Sequence, residues 1–174
     1  TLNFTASQPT GLIGKLAFST NSADIHVMNA DGTAEQSIYS GNSQCSGTDG
    51  IAWSPDGAKL AFEDCDTNSN LDLYIVNANG TGVQRLTDSP LQDVLPSWSP
   101  DGTRLTFTYA ECSGADFFPP EVFAINATGT IRSRLTNNLV IDGFSDWSPG
   151  GSTIAFSRGL TGDCSSIGDT DIYV

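Results

Sequence analysis

Basic residues are scarce in this chain. Its 174 residues include two lysines and five arginines against 20 aspartates and glutamates, which gives a formal net charge of −13 at pH 7. The cationic residues are spread along the sequence, whereas nucleic-acid binding needs a basic patch or stripe. The sequence therefore predicts no nucleic-acid partner.

Long hydrophobic runs are also missing. The sequence contains no apolar stretch of the length that a membrane-spanning helix requires. Its N-terminus has neither the basic region nor the hydrophobic stretch of a signal peptide. We therefore expect no membrane span and, for a secreted protein, the mature form.

What the chain does contain is a repeat. Trp-Ser-Pro followed by a glycine turn occurs at residues 53–57, 98–102 and 147–151, with periods of 45 and 49 residues (53 to 98 and 98 to 147). Each copy continues with Gly-x-[Lys/Arg/Thr]-[Leu/Ile]-[Ala/Thr]-Phe, and a fourth copy without the tryptophan lies at residues 14–18. Such a period is typical of an array built from one supersecondary unit.

Each unit also has an acidic residue before an alternating apolar run, and the two inner units close with Arg-Leu-Thr at residues 85–87 and 134–136. Turn sequences such as Asp-Gly and Asn-Gly separate these runs, so each unit is predicted to form four short strands, A to D. Strand B has apolar residues on both faces, as in Leu60, Ala61 and Phe62, and both faces must therefore be covered.

Radially stacked four-stranded sheets meet that requirement. The predicted fold is all-β, a β-propeller of four-stranded antiparallel blades forming one domain over residues 1–174. Its units cover approximately residues 1–41, 42–89, 90–138 and 139–174, and the first and last are incomplete.

These motifs resemble the TolB-type (PD40) propeller repeat, a relative of the WD-type repeat. That repeat has Trp-Ser-Pro-Asp-Gly-x-x-[Ile/Leu]-Ala-Phe, then Asp-Ile-Tyr-Val-x-Asn-x-Asp-Gly-Thr and Arg-Leu-Thr. The resemblance extends over residues 14–174. It implies the propeller fold but no single activity, because similar propellers serve as periplasmic binding proteins, gating domains of serine peptidases and surface proteins.

The variable loops fall on one face of the predicted propeller. The step from strand B to strand C runs 8, 12, 16 and 17 positions, whereas the A–B and C–D turns have constant length. In an up-and-down blade the B–C and D–A connections emerge on the same side, which we call the loop face. Variable loops on a rigid scaffold are where function is usually found.

All four cysteines lie in these connections, and their even number favours disulfides and an oxidising compartment, either extracellular or periplasmic. They are Cys45, Cys65, Cys112 and Cys164. Of the three possible pairings we favour Cys45–Cys65 within one unit and Cys112–Cys164 between neighbours, because those loops should be closest. No CxxC pair occurs, which argues against a zinc site.

The connection after Phe62 is acidic, with an oxygen-bearing side chain at every second position: Asp64, Asp66, Asn68, Asn70 and Asp72. Calcium prefers such oxygen ligands, and the spacing resembles the calcium loop of integrin-type propellers. Calcium is therefore the one cofactor predicted. The alternative is that Asp72, whose position is acidic in every unit, bonds to neighbouring strands. Ser69 also stands where the calcium loop has glycine.

An enzyme is not predicted. The only histidine, His26, occupies a strand C position that is aromatic in the other units, so we expect it to pack against a neighbouring blade. No nucleophile motif lies near it. Several carboxylates near the loop face leave a polysaccharide-active enzyme as an alternative, although no catalytic pair stands out.

The tryptophans occupy one repeat position, where we expect them to fill the space between adjacent blades rather than to stack on sugars. They are Trp53, Trp98 and Trp147.

Candidate glycosylation sequons begin at Asn3, Asn79 and Asn126. Of these, Asn79 and Asn126 fall at C–D turns, and Asn79 is equally explained as part of a tight turn.

The incomplete terminal units suggest open sheet edges, which a protein must cover. A strand at residues 2–6 could close the ring beside Tyr173 or complete a neighbouring copy, and the chain could also be part of a larger propeller.

Our leading hypothesis is a non-enzymatic extracellular structural or binding module that assembles head to tail with copies of itself, into a ring or filament. The alternative is a domain that binds protein or glycan on the loop face, through residues 109–120.

Overall fold

A computed structural model describes residues 14–20, 23–42, 50–67, 69–111, 118–159 and 170–174. All regular secondary structure in these ranges is β. The strands are β1 (Lys15–Ser19), β2 (Ile25–Asn29), β3 (Gln36–Tyr39), β4 (Ala52–Trp53), β5 (Lys59–Cys65), β6 (Leu71–Asn77), β7 (Gln84–Arg85), β8 (Gln92–Trp98), β9 (Arg104–Glu111), β10 (Phe118–Asn126), β11 (Arg132–Arg134), β12 (Asp142–Trp147), β13 (Ile154–Gly159) and β14 (Thr170–Tyr173).

These strands form four antiparallel up-and-down sheets, which confirms the predicted propeller class. Blade 1 has the order β1-β2-β3, blade 2 has β4-β5-β6-β7, blade 3 has β8-β9-β10-β11, and blade 4 has β12-β13-β14. Blades 2 and 3 therefore contain all four strands, A to D, among the described residues.

The hydrophobic core lies between the blades. One cluster joins blades 1 and 2: Ile25, Val27, Ile38, Leu60, Phe62 and Val76. A second joins blades 2 and 3: Ala61, Leu73, Ile75, Leu86, Trp98, Leu105, Phe107 and Ile125. Because alternate residues of β5 point to opposite faces, each cluster receives side chains from that strand. Truncating a fully buried residue such as Phe62 to alanine should cost about 3–5 kcal/mol.

A pair of rings on strands B and C recurs in every blade. The paired centroids are 5.4 to 5.9 Å apart in Phe18–His26, Phe62–Tyr74, Phe107–Phe123 and Phe156–Tyr173. His26 stacks on Phe18 and its Nδ1 lies 3.1 Å from Glu35. The histidine therefore packs against a ring of its own blade, and packing against the neighbouring blade stays a prediction.

Adjacent blades are also locked together at the C–D turns. Gly129 of blade 3 has φ +77°, and a Cβ there would lie 2.9 Å from the carbonyl oxygen of Leu86 in blade 2. Gly80 of blade 2 has the same relation to Ile38 of blade 1. The C–D turns of blades 2 and 3 thus lie against the strand D backbone of the blade before, and only glycine fits this close approach with a left-handed backbone.

The three repeat tryptophans lie between blades but differ in their contacts. Trp98 is 7% exposed, and its Nε1 donates to the carbonyl oxygen of Ala52 at 3.2 Å. Trp53 packs against the cluster between blades 1 and 2. The Trp147 ring lies 4.9 Å from the Arg104 guanidinium, and its buried Nε1 has no hydrogen-bond partner among the described residues.

Candidate functional site

The acidic connection of blade 2 is a tight hairpin turn between β5 and β6. The Asp66 amide donates to the Asn70 carbonyl at 3.0 Å, and the Ser69 amide donates to the Asp66 carbonyl at 3.1 Å. Ser69 has φ +63°, the left-handed conformation for which the calcium loop uses glycine. The candidate ligand Asn68 lies outside the described residues.

Asp64 is buried at the end of this hairpin, where it accepts hydrogen bonds from blade 1. The Tyr39 hydroxyl donates to Oδ2 at 2.5 Å, and the Asn42 amide donates to Oδ1 at 3.2 Å. Burial, together with the hydrogen bond and charge of Asp64, raises the pKa of Tyr39 above its ordinary value of 10. The phenol therefore remains a donor at neutral pH and connects the two blades.

Asp72 is fully buried and faces the side chain of Arg85. Arg85 Nη2 lies 2.5 Å from Asp72 Oδ2, and the Thr87 hydroxyl donates to Oδ1 at 3.0 Å. The same guanidinium lies 2.8 Å from Asp88 and 3.9 Å from Asp66. Burial acts to lower the pKa of Arg85, but its hydrogen bond and attraction to Asp72 outweigh this and raise it. The positively charged Arg85 side chain thus lies beside the acidic turn.

Blade 3 repeats this arrangement with glutamate. Arg134 Nη2 donates to Glu121 Oε1 at 2.7 Å, the Thr136 hydroxyl donates to Oε2, and the Asn138 amide donates to Oε1 at 2.8 Å. The strand C acid and the Arg-Leu-Thr segment therefore form one structural unit in both complete blades, which is the alternative interpretation of Asp72. Within the described ranges, no group of three or more His, Cys, Asp or Glu side chains is arranged to hold a metal ion. Calcium binding stays a prediction.

Strand A of blades 3 and 4 each carries a buried aspartate that the sequence did not predict as a site residue. Asp93 on β8 lies 3.2 Å from Arg132, and Asp142 on β12 lies 2.7 Å from Arg158. Both carboxylates are fully buried, and burial raises the pKa of Asp93. Each stands five residues before a repeat tryptophan, and this constant offset is the signal that could have identified them.

The two arginines also lie over the recurring ring pairs. The Arg132 guanidinium is 4.4 Å from the Tyr109 ring centre and 4.5 Å from that of Phe123. The Arg158 guanidinium is 4.5 Å from the Tyr173 ring centre. Since Arg132 comes from strand D and Arg158 from strand B, different strands place a cation over equivalent rings. Such cation–π contacts add stability to each ion pair.

The loop face of blade 3 carries a pocket of about 540 Å³. It is lined by Leu91, Tyr109, Pro119, Glu121, Phe123, Arg134, Asn137, Asn138 and Leu139. Some of these belong to the segment 109–120 that the sequence indicated for ligand binding. We call it the loop-face pocket.

A second cavity, of about 460 Å³, lies between blades 3 and 4. Its lining includes Ile131 and Leu135 of strand D in blade 3, and Trp147 and Ile154 of blade 4. We call it the interblade cleft.

Cys65 ends β5, is 5% exposed and takes part in a disulfide. Cys45, Cys112 and Cys164 lie outside the described residues, so both pairings stay predictions.

Two of the three sequon asparagines can be placed. Asn79 is exposed in its C–D turn, and its Oδ1 accepts from the Thr81 hydroxyl at 2.7 Å. The Asn126 amide donates to the Thr130 hydroxyl at 2.9 Å, as Asn77 does to Thr81 in blade 2. Asn3 lies outside the described residues. Asn126 thus has a structural role in its turn, and glycosylation stays a prediction.

Within the described residues there is no helix of the length and apolar character that crossing a membrane requires.

Among known protein families, the model of the TolB β-propeller domain (PD40) matches residues 13–118, which are more than half of the chain. The Tol-Pal system protein TolB of Anaeromyxobacter dehalogenans (strain 2CP-C) is 41% identical over 49 residues, which are 28% of this chain and 11% of that protein. The uncharacterized peptidase YuxL of Bacillus subtilis (strain 168) is 41% identical over 56 residues, which are 32% of this chain and 8% of that protein.

Among solved structures, TolB from Acinetobacter baumannii superimposes with a TM-score of 0.71 at 23% identity. The match covers 92% of this chain and 38% of that one. The chain therefore spans only a small part of the curated relatives it matches, and less than half of this TolB structure.

Proposed function

Because the chain belongs to the TolB β-propeller domain family, we propose that it is a non-enzymatic, extracellular or periplasmic module that binds proteins, and that its main partner is another copy of itself. Family membership establishes the fold, whereas the function depends on the surfaces of this particular chain. Two features of blades 3 and 4 support self-assembly.

The first feature is the outer edge of β14. In blades 2 and 3, strand C is paired on its outer side by β7 and β11, whereas β14 is the last strand of its sheet among the described residues. Ile172 and Val174 are 80% and 84% exposed. An edge with exposed apolar side chains is a template for strand addition by another chain.

The second feature, which carries the proposal, is the interblade cleft. Ile38 and Leu86 are 7% and 6% exposed, and the C–D turn of the following blade lies against the backbone of each. Leu135 holds the same position in blade 3 but is 45% exposed and lines the cleft. The cleft therefore has the place and lining to receive a C–D turn, and a strand added to β14 would bring one there.

In this proposal the completing strand comes from a second copy, and the strand predicted at residues 2–6 is the candidate donor. A contact between one surface and a different surface of the next copy is heterologous, so it propagates into a closed ring or a filament. Burial of Ile172, Val174 and Leu135 would supply about 1.5–3 kcal/mol for each side chain.

The experiment is multi-angle light scattering over a concentration series, with electron microscopy of the same samples. We expect concentration-dependent oligomers or fibres. Ile172→Lys should shift the distribution towards monomer, because a charge on the edge opposes strand addition. The matched control is Val83→Lys, at an apolar residue that is 47% exposed beside β7.

A monodisperse monomer at high concentration would contradict self-assembly, as would an assembly that Ile172→Lys leaves intact. Turnover of an acidic polysaccharide by the purified chain would contradict the non-enzymatic part of the proposal.

A further inference from the structure

We propose that the loop-face pocket of blade 3 binds an apolar side chain from an extended, positively charged peptide segment of a partner protein. The inference rests on the protein-binding part of the proposed function, but it concerns a surface separate from the β14 edge. It is therefore tested separately from self-assembly.

The pocket combines apolar walls with an exposed rim. Tyr109 and Phe123 form an edge-to-face pair with centroids 5.2 Å apart, and Pro119 and Leu91 also line the cavity. Leu139, at 87% exposure, is the most exposed large hydrophobic side chain of the described residues. A volume of about 540 Å³ accommodates a leucine or phenylalanine side chain together with adjacent backbone.

These walls are not required by the repeat. Tyr109 stands where blade 2 has Asp64, and Pro119 stands where it has Asn70. Both blades have the ion pair between the strand C acid and an arginine of strand D. The two blades therefore share this structural pair and differ in the residues that line the pocket position. The apolar character of the pocket is therefore specific to blade 3.

One polar group is positioned to recognise backbone. Arg134 Nε donates to the Thr136 carbonyl at 2.7 Å, and Nη2 donates to Glu121 at 2.7 Å. Its Nη1 has no hydrogen-bond partner in the part of the chain that the structure describes, and the side chain is 43% exposed. Two bonds thus fix the guanidinium while one nitrogen remains available to donate. That nitrogen can donate to a peptide carbonyl of the bound segment.

Charge and lining together select the partner. The chain carries a net charge of −13, which attracts a cationic segment and repels an anionic one. The aliphatic side chains of Leu91, Pro119 and Leu139 line the pocket together with two aromatic rings, and this apolar lining suits a hydrophobic side chain. A basic peptide with one apolar anchor satisfies both requirements.

The test is titration of the ¹⁵N-labelled Ile172→Lys chain, which should remain monomeric, with the synthetic peptide acetyl-Lys-Lys-Leu-Lys-Lys-amide. We expect saturable shift changes in amides around Arg134 and Leu139. Replacing the peptide's leucine with serine should weaken binding about tenfold, because the apolar burial is lost. Raising the salt concentration should weaken it further.

On the protein side, Leu139→Ser should weaken binding by a similar factor without affecting folding, since the side chain is exposed. Pro119→Asn, which copies blade 2, provides a second variant. The matched control is Ile131→Ser, at a residue that is 69% exposed and lines the interblade cleft, and it should bind normally.

Absence of binding by the leucine peptide would overturn the inference. So would equal affinity for the leucine and serine peptides, or equal affinity of Leu139→Ser and the unmodified chain. Saturable binding of a neutral oligosaccharide such as cellohexaose at the same amides, without peptide binding, would assign the pocket to glycans instead. None of these outcomes bears on the oligomeric state.

Discussion

Arg85 lies 2.5 Å from Asp72, a carboxylate that is fully buried. Removing the guanidinium would leave a buried negative charge with only hydroxyl and amide donors. We therefore predict that Arg85→Met lowers the free energy of unfolding by about 2 kcal/mol, towards the low end of such losses because Arg85 is about one third exposed. Urea denaturation followed by tryptophan fluorescence measures this.

Arg134→Met is the matched variant in blade 3. Glu121 is 3% exposed, but Arg134 is more exposed than Arg85, so the loss should be smaller. Unchanged stability in Arg85→Met would show that the pair is not a stabilising element of the blade.

Calcium at the acidic turn is open to a direct test. In the structure, Asp64 and Asp72 accept hydrogen bonds from Tyr39 and Arg85, so a bound ion would share these carboxylates with protein donors. Calcium binding predicts a higher melting temperature with calcium chloride than with a chelator, and Asp66→Ala should remove that difference. Identical melting curves for the unmodified chain in both conditions would reject the site.

The disulfide of Cys65 should contribute to stability. If the partner is Cys45, as the sequence predicts, the closed loop has about 20 residues, and loop-closure entropy alone gives about 3 kcal/mol. We expect Cys65→Ser to unfold at correspondingly lower urea. Peptide mapping of the unreduced protein checks the pairing, and a Cys65–Cys112 or Cys65–Cys164 peptide would contradict it.

The blades could be predicted from the sequence because each carries its own turn glycines and alternating strands. The role of Asp72 could be inferred as well, since the acid and the Arg-Leu-Thr segment recur together. The cations over the ring pairs could not, because Arg132 and Arg158 reach equivalent places from different strands. For the loop-face pocket the sequence indicated only the segment 109–120, because other lining residues come from the two D–A connections on either side of blade 3.

The tryptophans differ in a way that the shared motif hides. Trp98 Nε1 donates to Ala52, whereas Trp147 Nε1 has no partner among the described residues. Replacement by phenylalanine removes similar volume at both sites, but only Trp98→Phe also breaks a hydrogen bond. We predict that Trp98→Phe is more destabilising than Trp147→Phe by about 1 kcal/mol. Equal losses in urea denaturation would contradict this difference.

The Pro-Asp-Gly turns should make stability fall in acid. Asp101 accepts from the Ser99 hydroxyl at 2.6 Å and from the Thr103 amide at 3.0 Å, and these bonds lower the pKa of Asp101 to about 2. The unfolded chain binds the proton first, so the stabilisation is complete above pH 4 and is lost as pH falls towards 2. Asp93 has the opposite effect on stability in acid. Burial raises the pKa of Asp93, so its protonation in the folded state removes the free-energy cost of a buried charge.

We expect the urea midpoint to decline between pH 4 and 2, and the double variant Asp56→Asn, Asp101→Asn to decline less. An asparagine keeps the acceptor oxygen but has no charge to titrate. Blade 4 offers a natural reference, since Gly150 takes the place of the acid there. An unchanged pH slope in the double variant would mean that these turns do not control the acid sensitivity.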